Sequence, residues 1–278
     1  MLQSGAALAK QRSAPEDMAM GAIATNRGMI DVVEAGSGDL TPILFLHGVG
    51  SDQHVWAPQL DHFGRRRRAV ALSYPGYGDS ALVEGATRDD YAASVLATMD
   101  ALAIDRSHIC GLSLGGVVAI AIHSTAPERC ASLIIADSFA VHPDGQGIYD
   151  RSESGSRTIG MRALAEARAG VLLGSAAGPV IHRAVIDTMS AIDPAAYVIG
   201  ARAVWLADQR VRAAAIEVPT LVLVGDEDVV TPPALSEELV ALIPGAKLEL
   251  IPAAGHLANL EQPLAFNTAI DRFLSEID

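Results

Sequence analysis

The sequence predicts an α/β fold built on one mostly parallel sheet. Short apolar runs of β-strand character alternate with segments of helical pattern, which favours right-handed crossovers between parallel strands. The chain has 278 residues, 50% of them hydrophobic, so it is long enough to bury a sizeable core. Aromatic residues make up only 4% of the chain. We therefore expect Ala, Val, Leu and Ile to fill most of that core.

Eight strands are expected, and the first two form an antiparallel hairpin. Residues 22–34 alternate loosely around Asn26-Arg27-Gly28, which is a turn signal. The remaining strands are mostly apolar runs at 43–46, 69–72, 107–112, 131–136, 219–225 and 247–251. The helices expected between or after them cover 51–60, 87–102, 114–124, 233–243 and 264–277, and they would pack on both faces of the sheet.

The alternation of strands and helices stops between residues 139 and 212. Helical segments are expected at 158–173, 178–192 and 194–208, and the Gly-, Ser- and Asp-rich stretches 142–147 and 152–156 favour loops. We interpret 139–212 as an inserted helical lid. The core then comprises 21–138 and 213–278, and residues 1–20 form a poorly ordered or locally helical N-terminal extension.

Charge and composition argue against several kinds of partner. The net charge of −13 leaves no global basic footprint for nucleic acid, and the run Arg65–Arg68 fits a solvated turn. No apolar run approaches the roughly 18 residues of a membrane span. The first 20 residues lack the order of charged and apolar regions that marks a signal peptide. We expect a cytoplasmic protein with no nucleic-acid or membrane partner, and leave open whether it is a homodimer.

Cysteine and histidine usage predicts neither disulfides nor a metal site. Cys110 and Cys130 both lie beside apolar strand residues and are expected to be buried free thiols. The histidines show no metal-ligand spacing, and no phosphate-binding glycine motif is present. We therefore predict an activity without metal or cofactor.

The stretch Gly111-Leu112-Ser113-Leu114-Gly115 carries the most chemistry. An apolar strand leads into it and an Ala-rich helical run leads out. A sharp strand–turn–helix connection exposes its central serine above the sheet, and small glycines let the flanking backbone approach. The sequence therefore predicts Ser113 as a nucleophile.

A serine hydroxyl needs a base, because it is a poor nucleophile in its free state. His256 lies on a glycine-containing loop directly after the last strand, and Asp228 lies on the loop after the preceding strand. The order Ser…Asp…His is the one that this chemistry uses on such a sheet. We call the turn that carries Ser113 the elbow. Asp137, which ends the strand after the elbow helix, is an alternative acid.

Acyl transfer also needs two backbone donors for the developing oxyanion. One is expected to be the N–H of Leu114, directly after the nucleophile. The second is expected from Val49 in His47-Gly48-Val49-Gly50, because that loop follows the first buried parallel strand. The glycines on either side of Val49 allow this backbone to turn toward the serine.

These stretches together resemble the α/β-hydrolase superfamily over residues 21–278. The resemblance is carried by His47–Gly50, Gly111–Gly116, Gly225–Pro232 and Gly255-His256 with Glu261 and Pro263. It implies the α/β-hydrolase fold with a lid. Three further stretches, His47–Trp56, Tyr74–Ser80 and Ile159–Ala165, are similar to 3-oxoadipate enol-lactonases and related carbon–carbon bond hydrolases of aromatic catabolism. The chain also resembles the hydrolase of acetamidomethylene-succinate.

The resemblance implies small substrates that carry carboxylate groups. Arginine side chains suit carboxylates, and the predicted lid contains eight of them. We expect Arg157 and Arg162 to face the pocket because they fall at the lactonase-like stretch, and Trp205 to line the pocket or anchor the lid.

The sequence thus predicts a cofactor-free serine hydrolase of the enol-lactone or ester type. Amide or enamide hydrolysis and carbon–carbon bond hydrolysis by the same residues are alternatives. A haloperoxidase-like side activity is also compatible. The non-enzymatic alternative is a receptor for a small acid on the hydrolase fold.

Overall fold

The computed structural model describes residues 18–278, and its strands form one eight-stranded sheet. The strands are β1 (Met18–Thr25), β2 (Gly28–Ala35), β3 (Ile43–Leu46), β4 (Ala69–Leu72), β5 (Ser107–Leu112), β6 (Cys130–Ala136), β7 (Thr220–Gly225) and β8 (Lys247–Ile251). Their spatial order is β1-β2-β4-β3-β5-β6-β7-β8. The pairs β1–β2 and β2–β4 are antiparallel, and every other pair is parallel. The predicted mostly parallel sheet is confirmed.

The hairpin begins earlier than the sequence indicated. Strand β1 starts at Met18 and pairs with β2 through to Gly28, so the last residues assigned to the N-terminal extension belong to the sheet. The rest of that extension, residues 1–17, lies outside the described residues.

Eleven α-helices are present in the described part of the chain. They are α1 (Ala57–Phe63), α2 (Arg88–Ala101), α3 (Leu114–Thr125), α4 (Gly145–Thr158), α5 (Gly160–Leu172), α6 (Pro179–Ala191), α7 (Pro194–Trp205), α8 (Arg210–Ala214), α9 (Pro233–Leu242), α10 (Ala258–Glu261) and α11 (Pro263–Leu274). Within residues 18–278, none combines the length and apolar character needed to cross a membrane.

The central strands are buried on both faces, which explains why they are apolar without alternation. All residues of β3, β4, β5 and β7 are buried. Ala, Val, Leu and Ile supply most of this core, and Cys110 and Cys130 lie in it as free thiols. Helix α2 starts as expected at Thr87, whose side chain forms a capping box with Asp90.

Residues 139–212 contribute no strand to the sheet and form helices between β6 and β7. One expectation here is wrong in part: residues 145–147 and all of 152–156, predicted as loops, lie in helix α4, whereas 142–144 are not helical. The small residues of α4 pack rather than turn, since Ser152 and Ser156 are buried and α4 lies against α7. A Cβ at Gly155 would lie 3.0 Å from a methyl of Leu164, so glycine permits close contact with α5.

The topology brings four loops to one edge of the sheet. They follow the carboxyl ends of the parallel strands β3, β5, β7 and β8. Ligands of open α/β sheets bind at this edge. The predicted site residues Val49, Ser113, Asp228 and His256 lie on these loops.

Candidate active site

Ser113 occupies a sharp turn between β5 and α3. Its φ of 55° and ψ of −111° lie in a region that residues with a Cβ rarely adopt. The turn depends on two glycines. A Cβ at Gly111 would lie 2.1 Å from the Gly115 carbonyl oxygen, and one at Gly115 would lie 2.1 Å from that of Leu46. The close approach of the backbone that the sequence predicted at these two glycines is therefore present in the structure.

Hydrogen bonds to β6 and to the residues that follow it hold this turn in place. The Ser113 N–H donates to the Ala136 carbonyl at 2.9 Å, and the Ser138 hydroxyl donates to the Ser113 carbonyl at 2.8 Å. The Ser113 Oγ itself makes no hydrogen bond to any described residue. Catalytic hydrogen bonds often tighten only when substrate binds.

His256 is hydrogen-bonded to Asp228. The distance from His256 Nδ1 to Asp228 Oδ2 is 2.8 Å, and both side chains are buried. Asp228 Oδ1 accepts the N–H groups of Val230 and Thr231, and Oδ2 also accepts the Thr231 hydroxyl at 2.6 Å. This arrangement leaves Nε2 as the nitrogen of His256 that can act on a substrate.

The hydrogen bonds to Asp228 favour its ionised form. Burial alone would raise its pKa, but the histidine, the Thr231 hydroxyl and the Thr231 N–H lower the pKa of Asp228 to about 2. A carboxylate that stays ionised in a buried site can hold one histidine tautomer and stabilise the imidazolium.

Asp137, the alternative acid, makes no hydrogen bond to His256. Its Oδ1 accepts the Gly225 N–H at 2.8 Å, while Oδ2 has no partner among the described residues. Burial raises the pKa of Asp137 well above its usual range, and the charge of Asp228 adds to this shift. The geometry favours Asp228 over Asp137 as the partner of the histidine.

The loop after β3 lies beside Ser113. A Cβ at Gly48 would lie 3.4 Å from the Ser113 Cβ. The N–H groups of Val49 and Leu114, the two predicted oxyanion donors, make no hydrogen bond to a described residue. The Leu114 N–H is free because it lies in the first turn of α3.

The ring of His47 fixes this loop, a role that the sequence analysis did not assign. His47 Nδ1 lies 2.8 Å from the Gly48 carbonyl oxygen, and Nε2 lies 3.2 Å from the Tyr74 nitrogen, whose N–H it accepts. Burial lowers the pKa of His47 to about 4, against weaker raising effects of the Gly48 carbonyl and Asp52. The ring is therefore neutral at pH 7 and keeps the acceptor that the Tyr74 N–H needs.

A cavity of about 200 Å³ lies between these loops and the helices of residues 139–212. Ser113, Val49 and His256 line it, and so does Trp205. Much of the remaining wall is apolar and comes from Val55, Leu112, Leu172, Val185, Met189, Leu257 and Leu260. The predicted placement of Trp205 at the pocket is consistent with this lining, where its ring also stacks on Phe139.

The structure does not bring Arg157 and Arg162 to this cavity. Arg157 pairs with Glu153, and Arg162 pairs with Glu166 and Asp187 on the outer surface. Their predicted role as substrate-binding residues is therefore not supported by their position. Surface carboxylates one helical turn away already neutralise both, as i,i+4 pairs commonly do.

Arg168 is the arginine that lines the cavity. Within residues 18–278 its guanidinium forms no hydrogen bond or ion pair with another side chain, although it is half-buried. No Asp or Glu in this part of the chain lines the same cavity. In a protein of net charge −13, the cavity is thus free of carboxylates and carries one unpaired cation.

Two further contributions were missed by the sequence analysis. Thr231 lies within hydrogen-bond distance of both Asp228 and His256, at 2.6 and 3.2 Å. Tyr197 lines the cavity, and its buried hydroxyl has no partner among the described residues. Thr231 stands three residues after the predicted acid, a local signal, whereas nothing in the sequence around Tyr197 distinguishes it.

No cluster of three potential metal ligands occurs in the described residues.

Comparison with known proteins identifies the family to which this chain belongs. A family model described as alpha/beta hydrolase fold matches residues 41–263, which is most of the chain. The chain belongs to the α/β-hydrolase fold family. It is 28% identical to the 3-oxoadipate enol-lactonase 1 of Acinetobacter baylyi over 241 residues, covering 84% of this chain and 89% of that enzyme.

Two solved structures are similar in sequence and in fold. The enol-lactonase of Burkholderia xenovorans is 27% identical with a TM-score of 0.86, over 92% of this chain and 100% of that one. A thermophilic esterase of Thermogutta terrifontis, solved with malate bound, is 27% identical with a TM-score of 0.84, over 93% and 99% of the two chains. The relatives are hydrolases, and this α/β hydrolase is an enzyme of the same class.

Proposed function

We propose that this α/β hydrolase is a cofactor-free serine hydrolase of small, carboxylate-bearing esters or enol-lactones. The observation that carries the proposal is that His256, hydrogen-bonded to a buried ionised Asp228, lines the same cavity as Ser113. A base oriented by an acid, next to a serine on a strained turn, is the arrangement that activates a hydroxyl.

The proposed reaction has two halves. His256 Nε2 accepts the proton of Ser113 as Oγ attacks the carbonyl carbon, and the N–H groups of Val49 and Leu114 stabilise the oxyanion. The carbon–oxygen bond to the leaving alcohol or enol then breaks, and His256 gives that oxygen the proton. Water attacks the acyl-serine with His256 as base, which releases the acid and restores Ser113.

Charge in the cavity supports an anionic substrate. Arg168 has no ion pair within residues 18–278, and no carboxylate of those residues lines this cavity, whereas the neighbouring surface pocket that Arg168 also lines contains Asp144 and Glu238. A half-buried guanidinium can bind a carboxylate through charge-assisted hydrogen bonds. Two similar proteins agree with this class: one is named a 3-oxoadipate enol-lactonase, and another was solved with the dicarboxylate malate bound.

The proposal is tested with a panel of small lactones, esters, enamides and dienones, each ester in an anionic and a neutral form. We expect the highest kcat/KM for an anionic ester or lactone. Ser113→Ala should remove this activity while circular dichroism shows a folded protein. Ser152→Ala, a buried serine of α4 outside the cavity, is the matched control and should retain it.

The panel also separates the alternatives. Preferred turnover of an enamide or a dienone would replace the ester assignment with amide or carbon–carbon bond hydrolysis. Tight binding of a small acid without turnover of any compound would favour a receptor. Unchanged turnover in folded Ser113→Ala would refute the serine mechanism.

A further inference from the structure

The segment at the end of α5, residues 172–175, is attached to the loops that carry the proposed base and acid. The His256 N–H donates to the Leu172 carbonyl at 2.8 Å. The Ser175 N–H and hydroxyl donate to the carboxylate of Glu227, next to Asp228, at 2.6 and 2.8 Å. We call residues 172–175, which run from the end of α5 toward α6 and contact both of these loops, the hinge segment.

Glu261 accepts hydrogen bonds both from the hinge segment and from the loop that carries His256, residues 252–257, which we call the histidine loop. Its Oε2 accepts the Gly174 N–H at 2.7 Å. Its Oε1 accepts the N–H groups of Gly255 and Leu257, at 3.0 and 3.3 Å, which are the residues on either side of His256. Burial raises the pKa of Glu261, whereas the N–H groups of Gly174, Gly255 and Leu257 act in the opposite direction because they favour the ionised carboxylate.

The backbones of the hinge segment and of the histidine loop approach too closely to leave room for a side chain between them. A Cβ at Gly174 would lie 2.7 Å from the Gly255 nitrogen, and a Cβ at Gly255 would lie 2.5 Å from the Gly174 nitrogen. The hinge segment and the histidine loop therefore meet through glycine backbone, and Glu261 joins their N–H groups. Displacing one of them would break hydrogen bonds to the other.

The same hinge segment is part of the substrate cavity. Leu172 lines the cavity, and Arg168 lies one helical turn earlier on α5. A group that binds to α5 thus contacts an element whose end is hydrogen-bonded to the backbone of His256. Glu261 itself does not line the cavity.

We propose that Glu261 is a positioning residue that fixes His256 against the hinge segment and supplies negative charge that favours the imidazolium formed during turnover. The inference rests on the proposed serine mechanism, in which His256 must become protonated. A carboxylate near the imidazole favours its charged form. Its hydrogen bonds hold the loop within the small tolerance that proton transfer needs.

Few other ionisable groups face Glu261. His256 and Asp137 are the nearest that interact with it by charge, and Asp228 lies on the far side of the imidazole. The hinge segment carries no ionisable side chain. Glu227 binds the same segment but contacts Ser175 from an exposed position.

Glu261→Gln is the test, with Glu227→Gln as the matched control. Glutamine has nearly the size of Glu261 but no charge. Its NH2 group replaces one carboxylate oxygen, so a donor would face a backbone N–H. On the best anionic substrate we expect kcat to fall on the order of 10- to 100-fold with KM nearly unchanged. The acid limb of kcat/KM should also shift to lower pH, because protonation of the imidazole becomes less favourable. Glu227→Gln should leave that limb in place.

Two results would overturn the inference. One is a Glu261→Gln enzyme with the kcat and pH profile of the unmodified protein. The other is a lower melting temperature with an unshifted acid limb, which would make Glu261 purely structural. Ser113→Ala is measured in the same assay: if it stays active, the proposed function fails, whereas if it is inactive and Glu261→Gln is normal, only this inference fails.

Discussion

At the residue scale, two strained residues follow neighbouring strands of the sheet. Ser113 after β5 and Asp137 after β6 have φ values of 55° and 45°. Such conformations cost of order 1–3 kcal/mol each, and they persist only where the surroundings hold them. The buried strands and the glycine contacts of the elbow provide that support. Strain of this kind clusters at functional sites, which agrees with the proposed role of Ser113.

The two candidate acids are distinguished by their replacement with Asn. Asp228→Asn removes the charge that holds the His256 tautomer, so kcat should fall by about 10³–10⁴-fold. In Asp137, burial raises the pKa, so the uncharged Asn resembles its native form and activity should stay within a few-fold of normal. Steady-state kinetics of both variants on one substrate is the measurement. The opposite pattern would assign the acid to Asp137.

Arg168 is expected to select anionic substrates. Arg168→Gln removes the unpaired guanidinium of the cavity, so kcat/KM for an anionic ester should fall by about 10-fold or more, the scale of one charge-assisted contact. The matched neutral ester should change little. Arg162→Gln, on the same helix but paired with Glu166 and Asp187 at the surface, is the control and should affect neither. Equal losses for both esters in Arg168→Gln would contradict an anion-binding role.

Residues set by local motifs could be predicted, and residues set by tertiary contacts could not. Ser113, Asp228 and His256 stand next to strand ends and glycines that mark them in the sequence, and the structure brings them to one edge of the sheet. The arginines of residues 139–212 look alike in sequence. The tertiary structure separates them: Arg157 and Arg162 form ion pairs at the surface, whereas Arg168 lines the cavity.

At the element scale, the junction of β5 and α3 depends on glycine. In Gly115→Ala the new Cβ would meet the Leu46 carbonyl oxygen of β3 at 2.1 Å, so the elbow must shift. We expect a loss of more than about 3 kcal/mol in the free energy of unfolding, with loss of activity. Chemical denaturation is the measurement.

Gly170→Ala is the matched control for this substitution. Gly170 lies inside α5, and nothing would contact its Cβ within 4 Å. Alanine should stabilise the protein by about 0.5–1 kcal/mol, because glycine is a poor helix former. Equal effects of the two substitutions would show that the elbow contact does not limit residue size.

Helix α4 illustrates why composition misled the sequence analysis. Gly, Ser and Asp favour loops when only local preference acts. Here the small residues of α4 allow close packing on α5 and α7, and that burial outweighs the weak intrinsic preference. The strands were predicted more reliably because the two-sided burial of the central strands leaves continuous apolar runs in the sequence.

At the scale of the whole molecule, a polar cluster built on the buried residues Arg67 and His108 ties Asp278 to the sheet. Asp278 accepts hydrogen bonds from Arg67 at 2.5 Å and His108 at 2.9 Å, and His108 is the second residue of β5. The cluster lies at the amino end of the strand, whereas the proposed site lies at the carboxyl end. It can therefore be altered without touching the proposed chemistry.

Asp278→Asn should destabilise the protein in a pH-dependent way. Burial alone would raise the pKa of Asp278, but Arg67 and His108 lower it below the ordinary value. A depressed folded-state pKa means that this stabilisation is present above about pH 4 and is lost as pH falls through the folded pKa. The melting temperature of Asp278→Asn should therefore be lower than that of the unmodified protein at pH 7. The difference between the two should be smaller near pH 3.

Asp208→Asn provides the control for that comparison. Asp208 pairs with Arg210 at an exposed position, and exposed pairs contribute little. Asp208→Asn should change the melting temperature by less than Asp278→Asn does. A loss in Asp278→Asn that is as large at pH 3 as at pH 7 would mean that the charge of Asp278 does not stabilise the fold.

The central claim is that Ser113 is acylated during turnover, and rapid-quench mass spectrometry tests it most directly. The enzyme is mixed with the best ester of the panel, quenched in acid and digested. The account predicts an acyl group on Ser113 in the peptide that contains Gly111 to Gly116, and its absence in Ser113→Ala. Turnover under conditions that trap acyl-serines, with no adduct on Ser113 or with an adduct on another residue, would contradict the claim.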